Sequence, residues 1–239
     1  MTTIGFIYPD HAAEDDYPRM QEILPGDVRL AVEHIYGTDL HAVAELLDLG
    51  SPEKLAEGSR KLSAHHPAAV VWACTSGSFV YGWQGAREQV EGLATAARVP
   101  ASSTSFAFVR AAQALGLRRV AVAASYPDEV AKLFTRFLAD GGIEVVKFSS
   151  AGIDTASEVG QLSEEAVLEL AAANDDPNAE ALLIPDTAMR TIGLVDRMEE
   201  HLGKPVLTAN QVTVWEGLRL AGVEPSCSSC GALFARSSD

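Results

Sequence analysis

Two hydrophobic periods alternate along the chain. Short, nearly unbroken apolar runs occur at 4–8 (IGFIY), 68–74 (AAVVWAC), 118–125 (RRVAVAAS), 143–150 (IEVVKFSS), 179–185 (AEALLIP) and 204–210 (KPVLTAN). Runs of this length and composition predict strands buried on both faces. Between them, residues 42–50, 52–65, 89–98, 108–116, 128–142, 164–174, 195–203 and 212–222 carry helical spacing. Gly116 and Gly142 stand where helices are expected to stop. Strands alternating with helices predict an α/β fold whose mostly parallel sheet is flanked by helices.

A longer period lies beneath this one. IGFIYPD (4–10) is echoed by VAVAASYPD (120–128), and both end in Tyr-Pro-Asp. VVWACTSGS is echoed by LLIPDTAMR, which sets Cys74 against Asp186. VPASSTSFAFVRAAQALG (99–116) is echoed by KPVLTANQVTVWEGLRLAG (204–222). Three echoes in one order predict two pseudo-symmetric α/β halves with a cleft between them. The first half is expected to hold residues 1–117 and a returning segment, 205–239, and the second half residues 118–204.

The repeat locates a site. Ligands of parallel α/β sheets bind beyond the carboxyl ends of the strands. The polar tips expected there are Tyr8-Pro9, Cys74-Thr75-Ser76, Tyr126, Asp186-Thr187 and Asn210. If the halves face each other, Cys74 and Asp186 approach one carbon from opposite sides. Hydroxyls of Thr75, Ser76 and Thr187, with backbone N–H groups if a helix starts after Cys74, suit a carboxylate or an enediolate. Each residue also has an ordinary reading. Cys74 reads equally as a buried, inert thiol, Asp186 as the N-cap of a helix over TAMRTIGLVDRM, and Tyr126 as a strand-end aromatic. An ionised Asp186 would repel a dicarboxylate unless protonated or paired.

Composition narrows the partners. Of 239 residues, 47% are hydrophobic and 21% charged, with a net charge of −15. That balance excludes nucleic acid, whose phosphates require Lys and Arg, but not a small anion held by local donors. No apolar run reaches the length of a membrane helix, and MTTIGFIYPD has no basic leader region. Three cysteines, Cys74, Cys227 and Cys230, fit a reducing cytoplasm better than a disulfide framework. The CSSC pair lacks the further ligands of a metal site, so no metal is expected. His65-His66 and the acidic stretch 13–18 (AEDDYP) read as a solvated turn and a solvated loop.

The stretches ACTSGSF, ASYPDEV, DTAMRT and TAN (208–210) together resemble the aspartate/glutamate racemase superfamily, in its branch of maleate cis-trans isomerase and arylmalonate decarboxylase. The resemblance runs from IGFIYP to WEGLRLAG. It implies a two-domain α/β fold with a cofactor-free site between the halves and a small (di)carboxylate substrate, and family members often form homo-oligomers. Isomerases and racemases of that family use one cysteine from each half, whereas the decarboxylase keeps only the second-half cysteine and has glycine at the first position. Here the first position is Cys74 and the second is Asp186. Thr75, Ser76 and Tyr126 match the carboxylate-binding positions, Tyr8 and Pro9 the first strand tip, and Asn210 a binding-loop position.

The expectation is therefore a cofactor-independent isomerase or racemase of the maleate isomerase type with a single active-site thiol, Cys74, and Asp186 as the opposing acid. The alternatives are a cofactor-free decarboxylase of substituted malonates and a degenerate carboxylate-binding protein.

Overall fold

Each of the two halves builds a four-stranded parallel sheet with the same order of strands. The computed structural model describes residues 1–227 and 229–235. The first half runs β1 (Thr2–Pro9), α1 (Asp16–Ile23), β2 (Val28–Ile35), α2 (Val43–Leu49), α3 (Pro52–Leu62), β3 (Ala69–Trp72), α4 (Ser76–Phe79), α5 (Gly82–Ala97), β4 (Ala101–Ser103) and α6 (Thr104–Ala114). The second runs β5 (Arg119–Ala124), α7 (Asp128–Asp140), β6 (Glu144–Ser150), α8 (Ala156–Val159), α9 (Glu164–Ala173), β7 (Ala181–Ile184), α10 (Val195–Leu202), β8 (Val206–Thr208) and α11 (Ala209–Leu220).

The sheet orders are β2-β1-β3-β4 and β6-β5-β7-β8. Every pairing is parallel, with Ile4 opposite Ala69 in the first sheet and Val120 opposite Ala181 in the second. The echoed runs thus occupy equivalent strands: β1 matches β5, and β3 matches β7. All four residues of both β3 and β7 are buried, which explains why these central strands read as unbroken apolar runs.

Among the elements that escaped the hydrophobic pattern are β2 and α1. β2 is an edge strand whose burial is interrupted by Arg29, Glu33 and His34. The segment expected as a solvated acidic loop instead leads into α1, where Asp16 is buried and Tyr17 and Met20 join the core.

α6 and α11, which follow equivalent strands, pack against each other between the sheets. Thr104 Oγ1 and Thr213 Oγ1 share a hydrogen bond of 2.6 Å across that contact. α11 also lies close to β1: a Cβ on Gly217 would sit 2.5 Å from Ile4 Cγ2, so only glycine admits the approach. β8 pairs with β7 in the second sheet, and α11, which follows it, packs against α6, β3 and β4. Cys227 and Cys230, expected as separate thiols, are joined in a disulfide. His65, expected in a solvated turn, is half-buried and bonds Glu33 at 2.8 Å.

Candidate active site

β3 ends at Trp72, and the chain turns sharply into α4. The Trp72 indole donates to Gly77 O at 3.2 Å, while Gly77 N donates back to Cys74 Sγ at 3.3 Å. A Cβ on Gly77 would lie 2.9 Å from Trp72 and 3.1 Å from Cys74 Sγ. The turn that presents the thiol therefore depends on a glycine there. Ser105 Oγ fixes it from below by donating to Thr75 O at 2.7 Å. Ser76 Oγ stands 3.7 Å from Sγ. Burial pushes the Cys74 thiol up to about 11; the nearby Asp186 carboxylate pushes the same way, against the donors at Gly77 and Ser76. Cys74 is thus held as S–H near neutral pH.

The equivalent turn after β7 presents Asp186. Its Oδ1 accepts from Ala188 N at 2.9 Å, a bond two residues along the chain that closes an Asx turn. No helix begins there; the next one is α10, at Val195. The helix N-cap reading of Asp186 is therefore set aside. Asp186 Oδ2 accepts from Ser125 Oγ, and His41 Nε2 lies 3.9 Å from the same oxygen. Both oxygens of this buried Asp are thus hydrogen-bonded.

Cys74 and Asp186 line one cavity of about 310 Å³, together with Tyr8, Pro9, Ser76 and Thr187. The segment between β2 and α2 crosses its mouth. There Leu40 forms an antiparallel bridge with Thr155, Ala156 N donates to Asp39 O at 2.9 Å, and His41 N donates to Asp154 O at 2.7 Å. Asp10, Asp39 and His11 also line the cavity, and no Lys or Arg does.

Three of the expected residues stand behind this wall. Tyr126 is buried, with its hydroxyl beside Thr75 and Ser76, and donates to Pro185 O at 2.5 Å. Thr75 Oγ1 is buried and finds no hydrogen-bond partner among the described residues. Asn210 is the second residue of α11 and does not line the cavity. Its amide donates to Asp16 Oδ2 at 3.0 Å and Thr187 O at 3.2 Å, which makes it a brace between the halves. Two further residues at the site, His41 and Ser125, were not singled out in the sequence. Ser125 adjoins Tyr126 in the echoed strand end, which is a usable signal; His41 has none.

A family model for arylmalonate decarboxylase matches residues 25–234. The chain belongs to the arylmalonate decarboxylase family. It is 27% identical over 195 residues to arylmalonate decarboxylase from Bordetella bronchiseptica, covering 77% of this chain and 81% of that one. It is 25% identical over 209 residues to maleate isomerase from Alcaligenes faecalis, covering 87% and 81%. Among solved structures, it overlays a liganded double mutant of arylmalonate decarboxylase, in which one glycine became cysteine and one cysteine became serine, with a TM-score of 0.89. That overlay has 24% identity and covers 99% of this chain and all of the other. The arylmalonate decarboxylase family is a family of enzymes, and this protein is one of its enzymes. Among the described residues, no helix is long and apolar enough to cross a membrane.

Proposed function

We propose that the enzyme moves a proton at the carbon next to the carboxylate of a small carboxylic acid, an isomerase- or racemase-type reaction that passes through an enediolate and needs no cofactor. The observation that carries this reading is the state of Cys74. A thiol held at about 11 is a proton donor first and a nucleophile second, and it faces a cavity walled by hydroxyl groups. The substrate carboxylate lies against Ser76, which lines the cavity, and reaches Thr75, directly behind it, when the turn after β3 opens. Thr75 Oγ1, which has no hydrogen-bond partner among the described residues, then gains one from a carboxylate oxygen, and forming that bond removes a burial cost of about 1–3 kcal/mol. Tyr126 serves the same oxygen once its hydroxyl hydrogen turns away from Pro185 O. These donors strengthen as negative charge moves onto the carboxylate in the enediolate. Cys74 then gives its proton to carbon.

A second reading is favoured by the family to which the chain belongs. In the decarboxylation of a substituted malonate, carbon dioxide leaves first and the same thiol protonates the enediolate that remains. One proton is delivered, so one thiol suffices. A cytoplasmic setting belongs to the same proposal; the free thiol of Cys74 supports it and the Cys227–Cys230 disulfide opposes it.

Incubation with maleate, with the two enantiomers of chiral carboxylates and with phenylmalonate separates the readings. Racemisation supports the proton-transfer reading and carbon dioxide from phenylmalonate supports decarboxylation, whereas fumarate formation, which requires sulfur to add to the alkene carbon and moves no α-proton, contradicts the proton-donor role of Cys74. Full activity in Cys74→Ala on whichever compound turns over refutes both.

A further inference from the structure

Of the six histidines, all within the described residues, only His41 is buried. Its ring is held from three sides. Nδ1 lies 3.0 Å from Ile153 O; a carbonyl oxygen only accepts, so Nδ1 carries the hydrogen. The ring meets Tyr126 edge-on, with centroids 4.9 Å apart and planes at 89°. Nε2 faces Asp186 Oδ2 at 3.9 Å. That separation is beyond a hydrogen bond and within reach of an ion pair. Both Asp186 oxygens already have donors, from Ser125 and Ala188.

We infer that His41 is a second proton-transfer residue of this site, with Asp186 as the counter-charge that stabilises the imidazolium formed when Nε2 takes a proton. The inference rests on the α-carbon chemistry proposed above. It resolves what stands opposite the lone thiol: an imidazole backed by a carboxylate. Cys74 belongs to the turn after β3, on the first-half wall. The His41 ring, although carried by a first-half loop, is pinned to second-half groups at Ile153, Tyr126 and Asp186. Of the other charged groups lining the cavity, Asp39 belongs to the same loop and Asp10 and His11 follow β1.

The step balances as follows. Nε2 accepts the α-hydrogen as a proton; the C–H bond breaks, an N–H bond forms, and the electron pair passes into the carboxylate as the enediolate. The pair then returns to carbon and takes the proton of Cys74 S–H, leaving a thiolate. The proton on Nε2 returns to Sγ through solvent and restores the starting state. Net change is inversion at carbon, with no oxidant or reductant.

The test is run in D₂O with both enantiomers of 2-phenylpropionate and of 2-methylsuccinate, following deuterium at the α-carbon and configuration separately. Wild type is expected to incorporate deuterium with inversion. His41→Asn keeps a donor for Ile153 O and is expected to lose inversion by about 100-fold. Cys74→Ala is expected to exchange the enantiomer whose hydrogen faces His41. His41→Ala is expected to regain inversion when imidazole is added, which a merely structural loss would not. Inversion within about threefold of wild type in His41→Asn, loss in His41→Ala without imidazole rescue, or ¹⁵N spectra placing the His41 hydrogen on Nε2 would overturn the inference and leave the α-carbon reading standing. No deuterium incorporation by wild type into any of the four acids would overturn both.

Discussion

Tyr8, at the end of β1, donates its hydroxyl to the carbonyl oxygen of Thr187 at 2.7 Å, across 179 residues of sequence. The Tyr8 hydroxyl oxygen in turn accepts from Ala13 N at 3.0 Å. One phenol therefore ties the first strand of the first half to the turn that presents Asp186, and it lines the cavity between them.

Tyr8→Phe removes that tie and leaves Thr187 O and Ala13 N without it in a buried setting. The expected loss is about 2 kcal/mol of unfolding free energy, read from the urea midpoint at unchanged slope. Turnover is expected to fall as well, because the Asp186 turn loses an anchor. A substitution that changed turnover but not the midpoint would show Tyr8 acting on substrate alone.

Cys74 titrates late because it is buried, moving from an ordinary 9.0 to about 11. Alkylation by iodoacetamide at pH 7.5 is expected to be at least tenfold slower than for free cysteine and to rise with pH towards 11. The folded state holds this proton more tightly than the unfolded chain. Its contribution to stability is therefore complete below pH 9 and is lost as pH rises towards 11. Cys74→Ala should remove that part of the alkaline loss, measured as urea stability at pH 8 and pH 10.5.

Asp16 gives a pH effect in the acid range. Burial raises its carboxyl above the ordinary 3.8, against donors at Thr191 N, Ile192 N and Asn210 Nδ2. A raised carboxyl stabilises the fold most in its protonated form, below 3.8, and loses that contribution as pH rises through the folded-state value. Asp16→Asn keeps an acceptor for Thr191 N and Asn210, so it is expected to flatten the stability profile above pH 4. An unchanged profile would assign the dependence to other groups.

Gly77→Ala places a methyl against both Trp72 and Cys74 Sγ. We expect a destabilisation of about 1–3 kcal/mol together with loss of turnover, since relief of either contact moves the thiol. Gly92→Ala, inside α5 where an added Cβ meets nothing, is the control and is expected to leave turnover unchanged and to raise stability by about 0.5–1 kcal/mol.

The central strands, and the placing of Cys74 and Asp186 after equivalent strands, were legible in the sequence because burial on both faces makes β1, β3, β5 and β7 read as apolar runs. The equivalence of the halves then aligns their tips. β2 was not legible, because an edge strand with Arg29, Glu33 and His34 breaks the apolar pattern. Asn210 looked like a strand tip, but the last strand stops at Thr208 and the helix starts one residue later. His41 was invisible for a different reason. Its place depends on its loop meeting Ile153 and Asp154, more than a hundred residues away, and no local pattern encodes that contact.

The central claim is that Cys74 carries a proton to the α-carbon of a small carboxylate. It is tested most directly by mass spectrometry of a carboxylic-acid panel incubated in D₂O with wild type and Cys74→Ala. The account predicts one α-deuterium per product molecule from wild type and loss of product formation in the variant. Product formation at wild-type rate by Cys74→Ala, or product without α-deuterium from wild type, would contradict it.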